Sequence, residues 1–153
     1  QLHQSFPNID PDIQDKHGNT ALMLALYCCK PGPIISQLHK LFPNIDPNIQ
    51  NNNGDTALLL ILASYNVKIN QLFIETFPNI DVNIQNAQGK TALTIAIDRR
   101  NVSLVALLLE RFPDIYLQQY ITNPTCKTAL VLAIEKNDTN LLLQILQLII
   151  QID

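Results

Sequence analysis

Apolar and polar positions along the chain follow one block pattern that recurs about every 35 residues. Each block opens with an extended polar stretch and a turn, continues with a short apolar run, and closes with a longer leucine-rich run. In one block, Thr91 to Arg99 predicts a short helix, Arg100-Asn101 a polar break, and Val102 to Phe112 a second helix. The pattern therefore predicts an all-α chain built from pairs of helices.

Two sequence markers keep this period over four copies. The first is Phe-Pro-Asx-Ile, which begins at Phe6, Phe42, Phe77 and Phe112. The second is Thr-Ala-Leu, which begins at Thr20, Thr56, Thr91 and Thr128. Two markers that stay in step this long indicate a repeat protein.

Glycine and proline punctuate each copy. A glycine stands two residues before the threonine in three copies, at Gly18, Gly54 and Gly89, which predicts a turn with positive φ. Proline after each phenylalanine predicts the end of the second helix, and the asparagine that follows is expected in the left-handed conformation, at Asn8, Asn44 and Asn79. Lys30-Pro31-Gly32-Pro33 predicts a stiff, non-helical turn between the first two helices.

The copies resemble the ankyrin repeat. The likeness is carried by Gly-x-Thr-x-Leu, by an alanine three residues after the leucine at Ala25, Ala96 and Ala133, by the leucine-rich helix Val102 to Leu109, and by the junction Asp81 to Ile84. It covers essentially the whole chain. The resemblance implies an ankyrin-type α-solenoid of four helix-turn-helix repeats with β-turn fingers, plus a partial N-terminal repeat.

The repeats set the expected boundaries. We expect a single domain over 1–153, with a repeat remnant at 1–10 and repeats at approximately 11–46, 47–81, 82–116 and 117–153. Gln1-Leu2-His3 precedes Phe6 as Gln37-Leu38-His39 precedes Phe42, so the chain is expected to belong to a longer array. The last helix, Asn140 to Ile152, lacks a polar outer face and is expected to pack on further protein or to cap the array poorly.

The chain also departs from the family pattern. Alanine replaces the family's proline after each threonine, and Cys126 replaces the glycine of the fourth copy. The family's histidine after leucine is replaced at Met23, Leu59, Thr94 and Val131. We therefore expect the family's polar side-chain bond at the start of the first helix to be absent.

Composition excludes several classes of function. The 153 residues are 47% hydrophobic and 15% charged, which indicates a globular chain, and the net charge of -3 with no strongly basic stretch argues against nucleic acid. The longest apolar run, Leu58 to Ala63, is too short to cross a membrane. The three cysteines, Cys28, Cys29 and Cys126, form no disulfide framework and are expected to act as small hydrophobic residues in an intracellular protein, cytoplasmic or nuclear.

No pattern of catalytic, cofactor-binding or metal-binding residues is recognisable. His17 lies beside Asp15 and Lys16 in a turn with no nucleophile nearby, and the glycines form no phosphate-binding loop. Asn51-Asn52-Asn53 is better explained by a turn than by a cation site. We therefore expect no enzyme activity, no cofactor and no metal.

The resemblance implies a concave groove made by the finger tips and the exposed side of the first helices. The candidate protein-binding residues are Lys16, His17, Tyr27, Asn53, Asp55, Gln88, Lys90, Asp98, Arg99 and Lys127. Tyr27 and Arg99 are the best candidates for hot spots, since tyrosine and arginine carry much of the energy at interfaces. The plainer alternatives are that the tips are exposed without purpose, and that Arg99 pairs with Asp98.

Two functions follow as hypotheses. The first is a scaffold or adaptor module that binds a protein partner of unknown identity. The second is a passive spacer or targeting segment of a larger enzyme or effector. The segment Gly18 to Ala25 resembles repeats encoded by giant viruses of amoebae or by intracellular bacteria, which implies host interaction.

Overall fold

The computed structural model describes residues 9–64, 66–112 and 115, and in addition residues 134, 139, 142, 143, 146 and 147. Over the continuous part the chain forms helices in successive pairs, and no strand occurs among the described residues. The helices are α1 (Ala21–Ala25), α2 (Pro31–Leu41), α3 (Ala57–Leu62), α4 (Val67–Thr76), α5 (Ala92–Asp98) and α6 (Val102–Arg111). The predicted remnant up to residue 8, and Cys126 and Lys127 of the predicted fourth repeat, lie outside the described residues.

A buried threonine caps each first helix. Thr20, Thr56 and Thr91 are extended, and their hydroxyl groups accept hydrogen bonds from the third backbone N–H of α1, α3 and α5 at 3.3 to 3.4 Å. The helices span only five, six and seven residues, too short to persist alone, so cap and packing together hold them.

A polar side-chain bond at the start of the first helix was expected to be absent, and in the third repeat this prediction was wrong. The Thr94 hydroxyl accepts from the Thr91 N–H at 2.8 Å, while the Thr94 N–H donates to the Thr91 hydroxyl at 3.4 Å. These two bonds form a capping box, which satisfies donors that the helix itself leaves free. The same position is apolar and buried in the other two described repeats, as Met23 and Leu59.

The second helices start in two ways. The side chains of Asn66 and Asn101 cap α4 and α6 by accepting from Ile69 and Leu104. In α2 the cap residue Lys30 makes no such bond, and helix begins at Pro31. The prediction that Lys30-Pro31-Gly32-Pro33 is non-helical was therefore wrong, because proline in the first turn loses no helical hydrogen bond and its fixed φ suits the helix.

The predicted stop at Phe-Pro is confirmed, and each second helix ends at the residue before the phenylalanine, so α6 ends at Arg111 and not at Phe112 as predicted. Phe42, Phe77 and Phe112 are the C-caps, and each cap N–H donates to a carbonyl four residues earlier. The left-handed conformation expected of Asn44 and Asn79 was wrong, since Arg100 is the one non-glycine residue with positive φ in the described part of the chain. The turn closes instead through the Ile45 and Ile80 N–H groups, which donate to the Phe42 and Phe77 carbonyls.

The chain divides into two compact units, Gln1–Asp81 and Val82–Asp153. In the first unit α1 packs on α2 and on α3, α4 packs on α3 and on α2, and the core contains Leu22, Ile35, Leu58, Leu62 and Phe73. The Phe73 and Phe77 rings lie 4.8 Å apart, and the His39 ring meets Phe77 edge-on. In the second unit α5 packs on α6 around Leu93, Ile97 and Leu104.

Polar bonds join successive repeats of the first unit at their junctions. The Asp46 N–H donates to the Asp12 carboxylate at 3.1 Å, and one repeat later the Asp81 N–H donates to the Asn48 side chain at 2.8 Å. Asn48 also donates from Nδ2 to the Asn79 carbonyl at 3.0 Å, which a carboxylate cannot do. These bonds fix the register at which the repeats stack.

Candidate functional site

The finger before each first helix has a repeated turn, which residues 15–19, 51–55 and 86–90 form in turn. Its first residue is Asp15, Asn51 or Asn86, and in each case one side-chain oxygen accepts backbone N–H groups two and four residues later at 2.8 to 3.0 Å. The glycine three residues on has a φ of 77°, 73° or 71°. The predicted positive-φ turn is thus confirmed, and Asn51-Asn52-Asn53 is part of it.

Sequence reasoning missed the side chain that organises this turn. An Asx residue stands three positions before each of these glycines, and that regular spacing is the signal that could have identified it. At Asp15, N–H donation from Asn19 lowers the pKa of the carboxyl group, with a further contribution from the N–H of His17. The carboxylate therefore stabilises the turn in its ionised form.

Neighbouring fingers of the first unit are hydrogen-bonded to each other. Asn52 donates from its backbone N–H to the His17 carbonyl at 3.0 Å and from Nδ2 to the Lys16 carbonyl at 3.1 Å. Nδ2 of Asn51 donates to Oδ1 of Asn19 at 3.1 Å. The fingers approach so closely that a Cβ atom on Gly18 would lie 2.7 Å from the Asn52 nitrogen.

These contacts place the predicted tip residues of the first unit. Lys16, His17 and Asn53 are exposed, and Asp55 is half-buried. The backbones of Lys16 and His17 are held by the next finger, so their side chains project from a fixed base. The structure therefore brings these residues together in neighbouring fingers of one unit.

Tyr27 lies at the opposite end of its helix from the finger. It follows the C-cap residue Leu26 of α1, and 70% of its surface is exposed. Cys28 and Cys29 follow it in the loop between α1 and α2 and are free and exposed, whereas small hydrophobic residues of their kind are more often buried.

In the second unit an ion pair spans the first helix. Nζ of Lys90, in the finger, lies 3.0 Å from Oδ2 of Asp98, the last residue of α5, and both side chains are partly exposed. Asp98 thus pairs with Lys90, which joins two of the predicted site residues. Gln88 is exposed at the tip, and Arg99 is the half-buried C-cap of α5.

Neither a metal centre nor a membrane span is found where the chain is described. No group of three or more His, Cys, Asp or Glu side chains that could hold a metal ion occurs among the described residues. No described helix is both long enough and apolar enough to cross a bilayer.

Comparison with known proteins connects this arrangement to a family. A family model described as ankyrin repeats (3 copies) matches residues 26–119. The chain is similar to a crystal structure of the ankyrin repeat domain of Bcl-3, described as a unique member of the IkappaB protein family, with 24% identity and a TM-score of 0.79. The match covers 96% of this chain and 62% of that chain, so this protein spans less than two thirds of that domain. No curated protein sequence matches the chain.

These results confirm the predicted all-α ankyrin fold. The family match covers more than half of the chain, and the structural match extends over nearly all of it. Ankyrin repeats generally serve as protein-interaction modules. From its threonine-capped helix pairs, its glycine fingers and the family match, we conclude that this chain belongs to the ankyrin-repeat family.

Proposed function

We propose that this chain is a non-catalytic module that binds a protein partner in a groove formed by the finger tips and the exposed sides of the first helices. The observation that carries the proposal is a contrast between adjacent positions. The capping threonines Thr20, Thr56 and Thr91 are at most 1% exposed and do not vary. The residue directly before each of them is accessible and changes from neutral to acidic to basic, as Asn19, Asp55 and Lys90.

The order of the fingers supports a binding role. Each turn is closed by an Asx side chain, and in the first unit the next finger bonds to the carbonyl groups of Lys16 and His17. Side chains on a backbone that is already ordered lose less entropy when they bind.

The chemistry of the surface fits a polar interface with a few anchor residues. In the first unit, Lys16 and His17 lie in one finger and the half-buried Asp55 in the next, and Tyr27 offers an exposed aromatic ring. In the second unit, the Lys90–Asp98 pair leaves little net charge on the face of α5 next to Arg99. Tyrosine and arginine at such positions are suited to act as hot spots.

A matched pair of variants tests the proposal. The groove variant replaces Lys16, His17, Tyr27 and Arg99 with alanine, and the control variant replaces Gln37, Ser103 and Glu110, which are exposed on second helices. Affinity capture from a eukaryotic cell lysate with quantitative mass spectrometry should recover at least one protein with the wild type and the control, and about tenfold less with the groove variant.

Equal capture by both variants would contradict groove binding. Absence of any specific capture would favour the alternative, a passive spacer or targeting segment of a larger protein. An intracellular location belongs to the same proposal, and the free thiols of Cys28 and Cys29 are in keeping with a reducing compartment. A viral or bacterial source remains a prediction from the sequence.

A further inference from the structure

The first unit has a pocket at the end of its helices opposite to the fingers. Its volume is about 400 Å3, within the range of about 300–1,000 Å3 that ligand sites occupy. The apolar part of its wall comes from two successive repeats, with Leu26, Tyr27 and Pro31 from one and Leu60, Ile61 and Ile69 from the next. Leu26, Leu60 and Ile69 are half-buried, so part of their apolar surface is open to the pocket.

A small residue keeps this pocket open. Ala63 lines it and stands seven residues after the capping threonine of its repeat, where the first repeat has Tyr27 and the third has Asp98. Ala63 is exposed and is the C-cap of α3, so nothing from its side chain fills the space. A larger residue at this position would occupy the pocket without entering the core.

Two lysines adjoin lining residues of the pocket in the sequence. Lys30 directly precedes Pro31 and Lys68 directly precedes Ile69, and both lysines are exposed. No aspartate or glutamate occurs between residues 16 and 45 or between residues 56 and 74, the two segments that build the pocket. The acidic residues of the first unit lie elsewhere, chiefly at the junctions and fingers, as Asp12, Asp15 and Asp46.

We propose that this pocket takes one large apolar side chain of a partner segment in which acidic residues flank that anchor. The inference rests on the proposed protein-binding function and specifies the partner's chemistry. An anchor in a desolvated pocket supplies most of the affinity, and carboxylates near Lys30 and Lys68 supply orientation and selectivity. The exposed ring of Tyr27 lies at the rim, where it can cover the anchor.

A peptide-display selection against the full chain tests the partner's chemistry. We expect the selected peptides to share one leucine, isoleucine, methionine or phenylalanine close to aspartate or glutamate. Titration of a synthetic selected peptide should show a loss of about tenfold for Ala63→Leu, which fills the pocket. The double variant Lys30→Glu/Lys68→Glu should lose about threefold at low salt, while Lys40→Glu, an exposed lysine away from the pocket, should bind as the wild type does.

A second measurement does not depend on finding a peptide. Isocaproate, an anion with a leucine-like end, should shift the methyl NMR signals of Leu26, Leu60 and Ile69 more strongly than the cationic isohexylamine at equal concentration. An equal response to both probes, or none to either, overturns the proposal. So does a selected peptide that tolerates Ala63→Leu but is lost with Lys16→Ala/His17→Ala, although this outcome would leave groove binding intact. Thermal unfolding of each variant checks that it is folded.

Discussion

The two ends of the helices in the first unit differ in how they are held. At the finger end, Asx side chains and neighbouring fingers satisfy the backbone of the turns, and a polar network fixes each residue. At the opposite end, beside Tyr27 and Ala63, the surface is apolar and encloses a pocket. One end thus offers polar side chains on a rigid frame, while the other offers space for an apolar group. The binding proposed at each end therefore rests on different chemistry.

The largest expected change in stability comes from a substitution at the finger end. Gly18→Ala should lower the free energy of unfolding by about 2–4 kcal/mol, because the new Cβ combines a left-handed backbone with a clash against the Asn52 nitrogen. Gly89→Ala is the matched control: its φ is similar, at +71°, but no atom of the described residues lies within 4 Å of the added Cβ, so about 1 kcal/mol is expected. Urea unfolding of both variants measures the difference, and equal losses would show that the contact between fingers contributes nothing.

The next effect concerns the apolar end. Asn70 is fully buried in α4, and its Nδ2 atom has no hydrogen-bond partner among the described residues, while its oxygen accepts from the Ser64 hydroxyl at 3.4 Å. The third repeat has the buried Val105 at this position, seven residues before the phenylalanine.

Asn70→Val should therefore raise the free energy of unfolding by about 1–2 kcal/mol, since it removes an unsatisfied buried donor. Asn70→Asp, of similar size, should destabilise the fold by placing a carboxylate at the same point. Denaturant titration at pH 7 measures both. A loss of stability in Asn70→Val would mean that the amide is satisfied in solution.

A smaller effect is expected at the junction below the fingers. Burial raises the pKa of Asp12, and the charges of Asp46 and Asp10 add to this, although the Asp46 N–H opposes it. The folded chain therefore binds this proton more tightly than the unfolded chain does. Ionisation of the carboxyl group then lowers the free energy of unfolding as the pH rises through the raised pKa. Asp12→Asn should remove that pH dependence and allow the donation to a carbonyl that Asn48 makes one repeat later.

We expect Asp12→Asn to stabilise the fold by about 0.5–1 kcal/mol at pH 7, reduced by solvent because the site is only partly buried. Asp10→Asn is the control, as it keeps an oxygen that can accept from the Asp12 N–H. Because Asp10→Asn removes one of the charges that raise the pKa of Asp12, unfolding measured from pH 3 to pH 7 should show a partial change of slope in Asp10→Asn and the full change in Asp12→Asn. The same slope in the wild type and Asp12→Asn would contradict this account.

The smallest effect is expected at the ion pair of the second unit. Lys90 and Asp98 are partly exposed, so their coupling in a double-mutant cycle with Lys90→Met and Asp98→Asn should be about 0.2–1 kcal/mol and should shrink in high salt. A coupling that salt does not change would show that packing, and not charge, joins these residues. The pair sharpens the comparison because it links a finger to the far end of its helix by charge. The two repeats of the first unit have Asn19 and Tyr27, or Asp55 and Ala63, at these positions.

The sequence alone determined the repeat, the helix pairs and their signals. Threonine caps, positive-φ glycines and Phe-Pro stops act locally, so their spacing is enough to place α3 to α6. Prediction from the sequence failed where one residue type is compatible with two structures. Pro31 fits both a turn and a first helical turn, and Asn44 fits both a left-handed cap and an ordinary turn.

Only the tertiary structure decided which side chains meet between repeats and along a helix. Four features join residues from separate segments or depend on the packing around them. They are the bonds from Asn52 to the preceding finger, the pairing of Lys90 with Asp98, the unsatisfied amide of Asn70 and the pocket beside Ala63. A local sequence pattern does not determine these distances. Side-chain packing sets them, and it depends on the size and polarity of neighbours that come from other repeats or from the far end of the same helix.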